Sequence, residues 1–171
     1  MKKEISRRRF FKLMGIGLAG SAAATACGGG DAEQQAQPAG PPPGSAGDVA
    51  LSLASKGSTP FYDQERLEAK AGSRITLTFK NAADPASGRL FNWVLVKPNR
   101  QLRVVTDGQS EGSPDTSYVK PNDPDVIAYT QLVAAGESDS ITFNAPLLGE
   151  YPYLCTFPGY YNTMKGVLVV Q

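Results

Sequence analysis

Two sulfur-bearing side chains stand nine positions apart near the C-terminus, in the stretch YPYLCTFPGYYNTMKGVLVV. Cys155 ends an alternating run that is typical of a strand, and Met164 precedes a second run of this kind. A thiolate and a thioether are soft ligands that suit copper and other soft metals. The chain has no histidine, although a copper loop of this type normally requires imidazole nitrogen. The alternative is that Cys155 is a small buried hydrophobe and Met164 fills a gap beneath the loop.

The residues that catalysis would need are not assembled in this sequence. Without histidine, general acid–base work falls to carboxylates, and the acidic residues are scattered through loops with no paired spacing. Cys155 has no evident base partner that would make it a nucleophile. The segment after the N-terminal signal also lacks a phosphate-binding glycine loop and a set of zinc ligands. The sequence therefore predicts a protein that is not an enzyme.

The elements that position the sulfur loop are predicted to be short strands separated by Gly, Pro, Asn and Asp. They are Val49–Ala54, Ser73–Asn81, Phe91–Lys97, Asp125–Val133, Ser138–Ala145, Tyr151–Cys155 and Gly166–Val170. Short strands at this spacing, with no long helical period, are typical of an all-β sandwich. The polar segment Pro98–Pro124 is the exception, and we expect it to form a long flap outside the sandwich with a short helical turn.

The N-terminal 26 residues have the pattern of an export signal, with a basic start followed by a modest apolar stretch. The motif SRRRFFK resembles the twin-arginine export motif, with Arg7 and Arg8 as the pair. Small residues before Cys27 resemble a bacterial lipobox, which predicts that Cys27 carries a lipid anchor. The alternatives are an ordinary secretory signal and a plain cleavage site. If Cys27 is acylated, Cys155 is the only thiol left in the chain.

Residues 27–47 are rich in Gly and Pro and carry almost no large apolar side chains, so we expect a flexible tether before a domain at 48–171. The first 26 residues hold six of the 17 basic and one of the 16 acidic residues. The remainder therefore carries 11 basic and 15 acidic residues, a net charge of −4. An acidic domain argues against nucleic acid as a partner, because phosphate binding requires a basic face.

Several motifs in the domain together resemble one family. FNWVLV, VVTDG, YVKPNDPDVIAYT, GESDSITF and GEYPYLCTFPG followed by MKG are similar to segments of the cupredoxins, or blue copper proteins, and specifically to azurin and the auracyanins. The resemblance runs from Val49 to Gln171 in unbroken order. It implies a Greek-key β-sandwich with a mononuclear copper site at one end. It also implies single-electron transfer between partner proteins outside the cytoplasm.

The resemblance assigns the family's ligand positions to particular residues. A blue copper centre uses two histidine nitrogens and a cysteine thiolate, with a weak axial methionine. Cys155 and Met164 match the cysteine and the methionine, whereas the two histidine positions fall on Phe91 and Tyr160. Asn92 matches the asparagine that bridges the ligand loops. Two further azurin-like positions, a carbonyl near the metal and an additional histidine, fall on Leu90 and Tyr129.

These replacements predict that copper binding is weakened, altered or lost. Phe91 has no lone pair, and Tyr160 could bind only as a phenolate, although phenols ionise near pH 10. Without a cation nearby, we expect Cys155 to be a neutral thiol with a raised pKa.

Two functions remain open from the sequence. The first is the family's role, a tethered electron carrier with an altered copper site. The second is a metal-free module that docks to a redox partner protein at the membrane through an apolar patch of Phe157, Pro158, Tyr160 and Tyr161. The alternative for the patch is that Tyr160 and Tyr161 only cap the core. Either function places the protein at the outer face of the cytoplasmic membrane or in the periplasm, held through Cys27.

Overall fold

The structure, a computed structural model, describes residues 47–171. In this range the chain forms ten strands, one α-helix and two 3-10 turns at Pro85–Ser87 and Pro114–Thr116. The strands and the helix are, in chain order, β1 (Asp48–Ala54), β2 (Arg66–Ala69), β3 (Arg74–Lys80), β4 (Leu90–Phe91), β5 (Val94–Val96), α1 (Gln101–Glu111), β6 (Val126–Tyr129), β7 (Val133–Ala134), β8 (Ser138–Asn144), β9 (Gly149–Leu154) and β10 (Lys165–Val170).

Two sheets enclose the core. One has the strand order β1-β3-β8, the other has the order β2-β10-β9-β5-β6, and β4 pairs with β7 in a small third sheet. The pairs β1–β3 and β2–β10 are parallel, and the remaining pairs are antiparallel. Side chains from both large sheets meet in one buried apolar cluster. The all-β sandwich predicted from the strand pattern is confirmed.

The alternation of apolar residues explains the strand pairing. In β3, Ile75, Leu77 and Phe79 are fully buried, while the residues between them face outward. Because strand side chains alternate between faces, a register shift of one residue would expose all three. Strand β5 is buried on both faces, since α1 covers the side that points away from the sandwich. That arrangement accounts for its continuous apolar sequence.

The flap prediction for Pro98–Pro124 was wrong in one respect. The segment contains the helix α1, which has 11 residues, or about three turns, rather than a short helical turn. The helix buries only Val104, Val105 and Gly108, so the stripe of buried residues on its surface is narrow and gives a weak helical pattern in the sequence. A Cβ at Gly108 would lie 2.1 Å from the carbonyl oxygen of Tyr118. Glycine, normally a weak helix former, is therefore required for this close approach.

Several other strands differ from the prediction. The predicted strand at 91–97 is interrupted at Asn92, and the one at 125–133 is interrupted at Thr130. Both residues turn inward to bond the backbone of neighbouring segments: the Trp93 N–H donates to the Thr130 hydroxyl at 3.0 Å, and the Asn92 side-chain amide donates to the Ser117 carbonyl at 2.8 Å. Strand β2 was not predicted, because its four residues show only two apolar positions.

The two ends of the sandwich carry different loops. The register aligns Asp48, Arg74 and Asn144 at one end of the three-stranded sheet. The loop Ala145–Leu148 crosses from there to Gly149, the first residue of β9. We call this the Leu147 end. Strand β9 then runs to Leu154 at the opposite end, which we call the Cys155 end.

Candidate functional site at the Cys155 end

The sulfur loop is closed by its own backbone. The Cys155 N–H donates to the Met164 carbonyl at 3.0 Å, where β9 and β10 separate. Within the loop, the Met164 N–H donates to the Tyr160 carbonyl at 2.8 Å. Gly159 has a φ of +89°, a left-handed conformation that glycine adopts at no steric cost. The turn thus brings Cys155 and Met164 side by side, and both side chains are fully buried.

Asn92 joins the loop to two other segments. Its side-chain amide donates to the Thr156 hydroxyl and to the Ser117 carbonyl, both at 2.8 Å. Its side-chain oxygen accepts from the Thr156 N–H at 3.0 Å. Its backbone carbonyl accepts from the Tyr62 hydroxyl at 2.7 Å. Since these atoms are buried, removal of the Asn92 side chain would cost Thr156 and the Ser117 carbonyl hydrogen bonds that water could not replace.

The flap is strained where Asn92 holds it. Ser117 and Tyr118 have φ values of 59° and 52°, in the left-handed region that residues with a side chain adopt at a free-energy cost. The Ser117 carbonyl accepts from both Asn92 and the Thr156 hydroxyl. These two bonds compensate for the strain and fix the flap beside the sulfur loop. The network therefore positions the loop independently of any metal.

Aromatic rings occupy the space beside the two sulfur atoms. Phe91 is fully buried in the same cluster as Cys155 and Met164. Its ring meets that of Tyr160 edge-on, with centroids 5.3 Å apart. Tyr160 stacks on Phe157, also at 5.3 Å, and Phe157 meets Tyr118 edge-on at 5.4 Å. This geometry is favourable for aromatic pairs, so the four rings form a continuous cover over the loop.

The Tyr160 hydroxyl already has a partner. The Arg89 guanidinium donates to it at 3.1 Å. A half-buried cation therefore lies next to the Tyr160 oxygen in the aromatic cover. Within residues 47–171, no group of three or more His, Cys, Asp or Glu side chains is arranged to hold a metal ion.

Burial raises the pKa of the Cys155 thiol to about 11. The backbone N–H groups of Asn92 and Phe157 at the sulfur lower that pKa, but by less than desolvation raises it. Cys155 is therefore a neutral thiol at pH 7, which confirms the expectation from the sequence. It is also the free cysteine of the described domain.

The structure separates some of the residues that sequence reasoning grouped together. Tyr161 does not join the cover of aromatic rings but packs on the helix side, against the cluster of Val94, Val104 and Leu154. Pro158 is exposed at the apex of the loop. Tyr129 is 37% exposed. Cys27, the predicted signal and the predicted tether up to residue 46 lie outside the described residues.

Four residues at this end were missed from the sequence. Arg89, Ser117 and Tyr118 lie in turns whose sequences carry no signal for the site. Tyr62 reaches Asn92 across 30 positions of the chain. It is buried, with its ring edge-on to those of Phe79 and Tyr153. Contacts of such long range depend on the packed fold and cannot be found by local pattern.

Comparison with known proteins gives a consistent result. The family model for copper binding proteins of the plastocyanin/azurin family matches residues 49–171. Auracyanin-A of Chloroflexus aurantiacus is 35% identical over 127 residues, which cover 73% of this chain and 76% of that protein. Azurin-1 of Alcaligenes xylosoxydans xylosoxydans is 34% identical over 125 residues, which cover 71% of this chain and 96% of that protein.

Solved structures agree with the sequence relatives. Auracyanin A from Chloroflexus aurantiacus, described as a blue copper protein, superimposes with a TM-score of 0.68 at 34% identity, covering 73% of this chain and all of that one. Reduced auracyanin from Roseiflexus castenholzii superimposes with a TM-score of 0.67 at 32% identity, covering 72% of this chain and 97% of that one. The cupredoxin fold predicted from the motifs is thereby confirmed. This chain belongs to the plastocyanin/azurin family of copper-binding proteins.

Proposed function

We propose that this chain is a membrane-tethered cupredoxin domain outside the cytoplasm, in which the family's copper site is degenerate and the Cys155 end docks to a redox complex. One observation carries the proposal. Phe91, at a position that the resemblance assigns to a copper-ligating histidine, is fully buried and packs its ring against Tyr160, at the second such position.

The donor set does not fit a blue copper centre. Such a centre requires two imidazole nitrogens and a thiolate, whereas this chain contains no histidine. The side chains here offer a neutral thiol at Cys155, a thioether at Met164 and a phenol at Tyr160. The phenol already accepts a hydrogen bond from the Arg89 cation, which would repel a metal ion. We therefore derive no electron-transfer step through copper for this chain.

The loss of affinity is expected to be large. Removing an outer-shell partner of a metal ligand already lowers affinity or activity by about 10–100-fold. Replacing two ligands outright should exceed this at each position, or more than about 10⁴-fold together by the upper of those values. A metal would also have to displace the Phe91 ring from a packed core, which adds a packing penalty.

The retained scaffold supports a role in docking. The bonds of Asn92 and the closed loop keep the Cys155 end in one conformation without metal. Phe157 and Tyr160 are half-buried and Pro158 is exposed beside them. Aromatic anchors of this kind are enriched in the centres of protein interfaces. Because Tyr161 packs on the helix side, we restrict the proposed docking patch to Phe157, Pro158 and Tyr160.

The location outside the cytoplasm rests on the signal-like N-terminus and on family membership. We propose export by the twin-arginine route and lipidation at Cys27. In the described domain, no helix is both long and apolar enough to cross a membrane. The partner proposed is a redox protein at the membrane, and the domain acts as a binding module and not as an enzyme.

Copper titration of the purified protein tests the metal half of the proposal. We expect Cu(II) to produce no intense visible thiolate–copper band and to be removed by gel filtration. An intense band at stoichiometric copper would restore the electron-carrier function and overturn the proposal. The docking half is tested separately by Tyr160→Ala, with Tyr129→Ala as the control at another half-exposed tyrosine. Unchanged binding of a purified redox complex to Tyr160→Ala would exclude this patch.

A further inference from the structure

The Leu147 end carries two adjacent leucines that the domain does not cover. Leu147 is 83% exposed and Leu148 is 71% exposed, in the loop between β8 and β9. Scattered single apolar residues are normal on a protein surface, whereas adjacent ones held outward need an explanation. Among the exposed large apolar residues of the described domain, these are the two most exposed.

We infer that the Leu147 end is a membrane-contact surface, and that Leu147 and Leu148 insert into the headgroup region of the bilayer that holds the lipid anchor. This rests on the tethering part of the proposed function. Leucine side chains are a typical apolar component of interfacial membrane contacts. The contact orients the domain, while the lipid on Cys27 supplies the attachment.

The point where the tether enters the domain supports the inference. The predicted tether at 27–47 joins β1 at Asp48, which aligns with Arg74 and Asn144 at the Leu147 end. The Ala145 N–H donates to the Ser73 carbonyl at 2.8 Å, so the leucine loop is fixed to the same end. A chain anchored at Cys27 therefore enters the domain at the end that bears the leucines.

The charges around the leucines are compatible with a lipid surface. Lys97 and Arg100 line a groove together with Pro146 and Leu147. Asp125 also lines that groove, but it already accepts from Arg103 at 2.6 Å and lies 3.7 Å from Arg100. Basic side chains near a bilayer are attracted to anionic headgroups.

Both signs of charge are present elsewhere at this end. Lys70 and Arg74 add basic groups, while Asp48 and Glu150 are acidic and exposed. The charges therefore add little net attraction, and apolar insertion has to provide most of the binding. The expected dependence on anionic lipid is correspondingly weak.

The inference also predicts how the docking patch is presented. Strand β9 separates Gly149 from Leu154 by five steps, or about 17 Å at the usual rise of a strand. Inserting the Leu147 end would therefore direct the Cys155 end away from the bilayer. Phe157, Pro158 and Tyr160 would then face a partner that projects from the same membrane, and both surfaces could be occupied together.

A fluorescent label tests the contact in the full lipidated protein. The variant Leu148→Cys is isolated from membranes, labelled with a polarity-sensitive dye and reconstituted into phosphatidylcholine vesicles with a minority of phosphatidylglycerol. Cys155 is fully buried and does not compete for the label. Phe61→Cys is the matched control, because Phe61 is 40% exposed and lies beside Lys56 and Ser55, at the opposite end of β1 from Asp48.

We expect the dye at 148 to shift to shorter wavelength on the vesicles, and to be quenched several-fold more by spin-labelled lipid than the dye at 61. Equal exposure of the two dyes to an aqueous quencher, on protein that sediments with the vesicles, would overturn the inference and leave the tether intact. Protein that fails to sediment would instead refute the tethering part of the proposed function. If the wavelength shift of the dye instead grew with the protein-to-lipid ratio of the vesicles, it would indicate contact with a second copy of the protein, and this would also overturn the inference.

Discussion

Restoring nitrogen donors at the two proposed ligand positions should convert this domain into one whose stability depends on copper. The double variant is Phe91→His with Tyr160→His. In the metal-free protein, the imidazole at 91 would place two nitrogen atoms where the native phenyl ring is fully buried. An unpaired buried polar group costs about 1–3 kcal/mol, so we expect the substitution at 91 to lower the free energy of unfolding by about 2–4 kcal/mol. The ring at 160 loses its bond from Arg89 and part of its stack on Phe157, or about 1–2 kcal/mol more.

Copper binding should restore much of the lost free energy of unfolding. A ligand that binds only the folded state at 100 times its dissociation constant stabilises it by about 2.7 kcal/mol. Urea unfolding with and without copper measures the difference, and absorption reports whether Cys155 has become a thiolate ligand. The control is Phe91→Leu with Tyr160→Leu, which removes the same rings without adding nitrogen.

Three outcomes would refute this reasoning. Equal copper stabilisation of the native chain would show that its own donors suffice. Equal stabilisation of the leucine variant would show that copper binds elsewhere. A folded double-histidine variant that stays colourless and gains no stability with copper would show that Phe91 and Tyr160 are not the ligand positions.

Three further predictions concern the scaffold. Asn92→Ala should lower the free energy of unfolding by about 3 kcal/mol, because it leaves buried partners on the loop and flap unpaired. Thr142→Ala on the outer sheet face should lower it by less than about 1 kcal/mol in the same urea titration, because it removes only an exposed cross-strand bond to Thr76; similar losses would contradict the bridging role. The raised pKa of Cys155, about 11, keeps the folded thiol neutral, so stability should be full below about pH 8.5, where unfolded cysteine ionises, and fall between there and pH 11. Cys155→Ala should remove the part of that fall that begins near pH 8.5, while the part above about pH 10 persists because burial also raises the pKa of Tyr62 and of Tyr153; an unchanged pH profile in the variant would be evidence against this. Gly108→Ala should destabilise the domain by about 2–3 kcal/mol in thermal unfolding, because the added Cβ meets the Tyr118 carbonyl at 2.1 Å; a neutral effect would show that the helix can shift.

Elements with a strong local pattern could be predicted from the sequence. Ile75, Leu77 and Phe79 alternate with polar residues and define β3, and the short spacing of Cys155 and Met164 places both in one loop. The helix α1 was missed because its buried stripe is narrow and contains Gly108, which is unfavourable in an isolated helix. Packing of α1 against β5 and against the segment around Tyr118 overrides that weak propensity.

The chemistry of the site was predictable where it depends on residue type, and not where it depends on long-range packing. Phe91 cannot bind metal in any fold, so the loss of a metal ligand at this position could be predicted from the sequence. The bond from Arg89 to Tyr160 and the position of Tyr161 on the helix side required the folded chain. The loop could therefore be identified from the sequence, whereas the packing of its individual tyrosines could not.

The metal content of the protein isolated from its native host is the most direct test of the central claim. The exported, full-length chain should be purified from membranes without added metal or chelator, and its copper measured by mass spectrometry of the digested sample. We predict copper far below one atom per chain, together with fully reduced Cys155 and a native fold by circular dichroism. One copper per chain, with an intense visible band, would contradict the claim that this cupredoxin domain has lost its metal site.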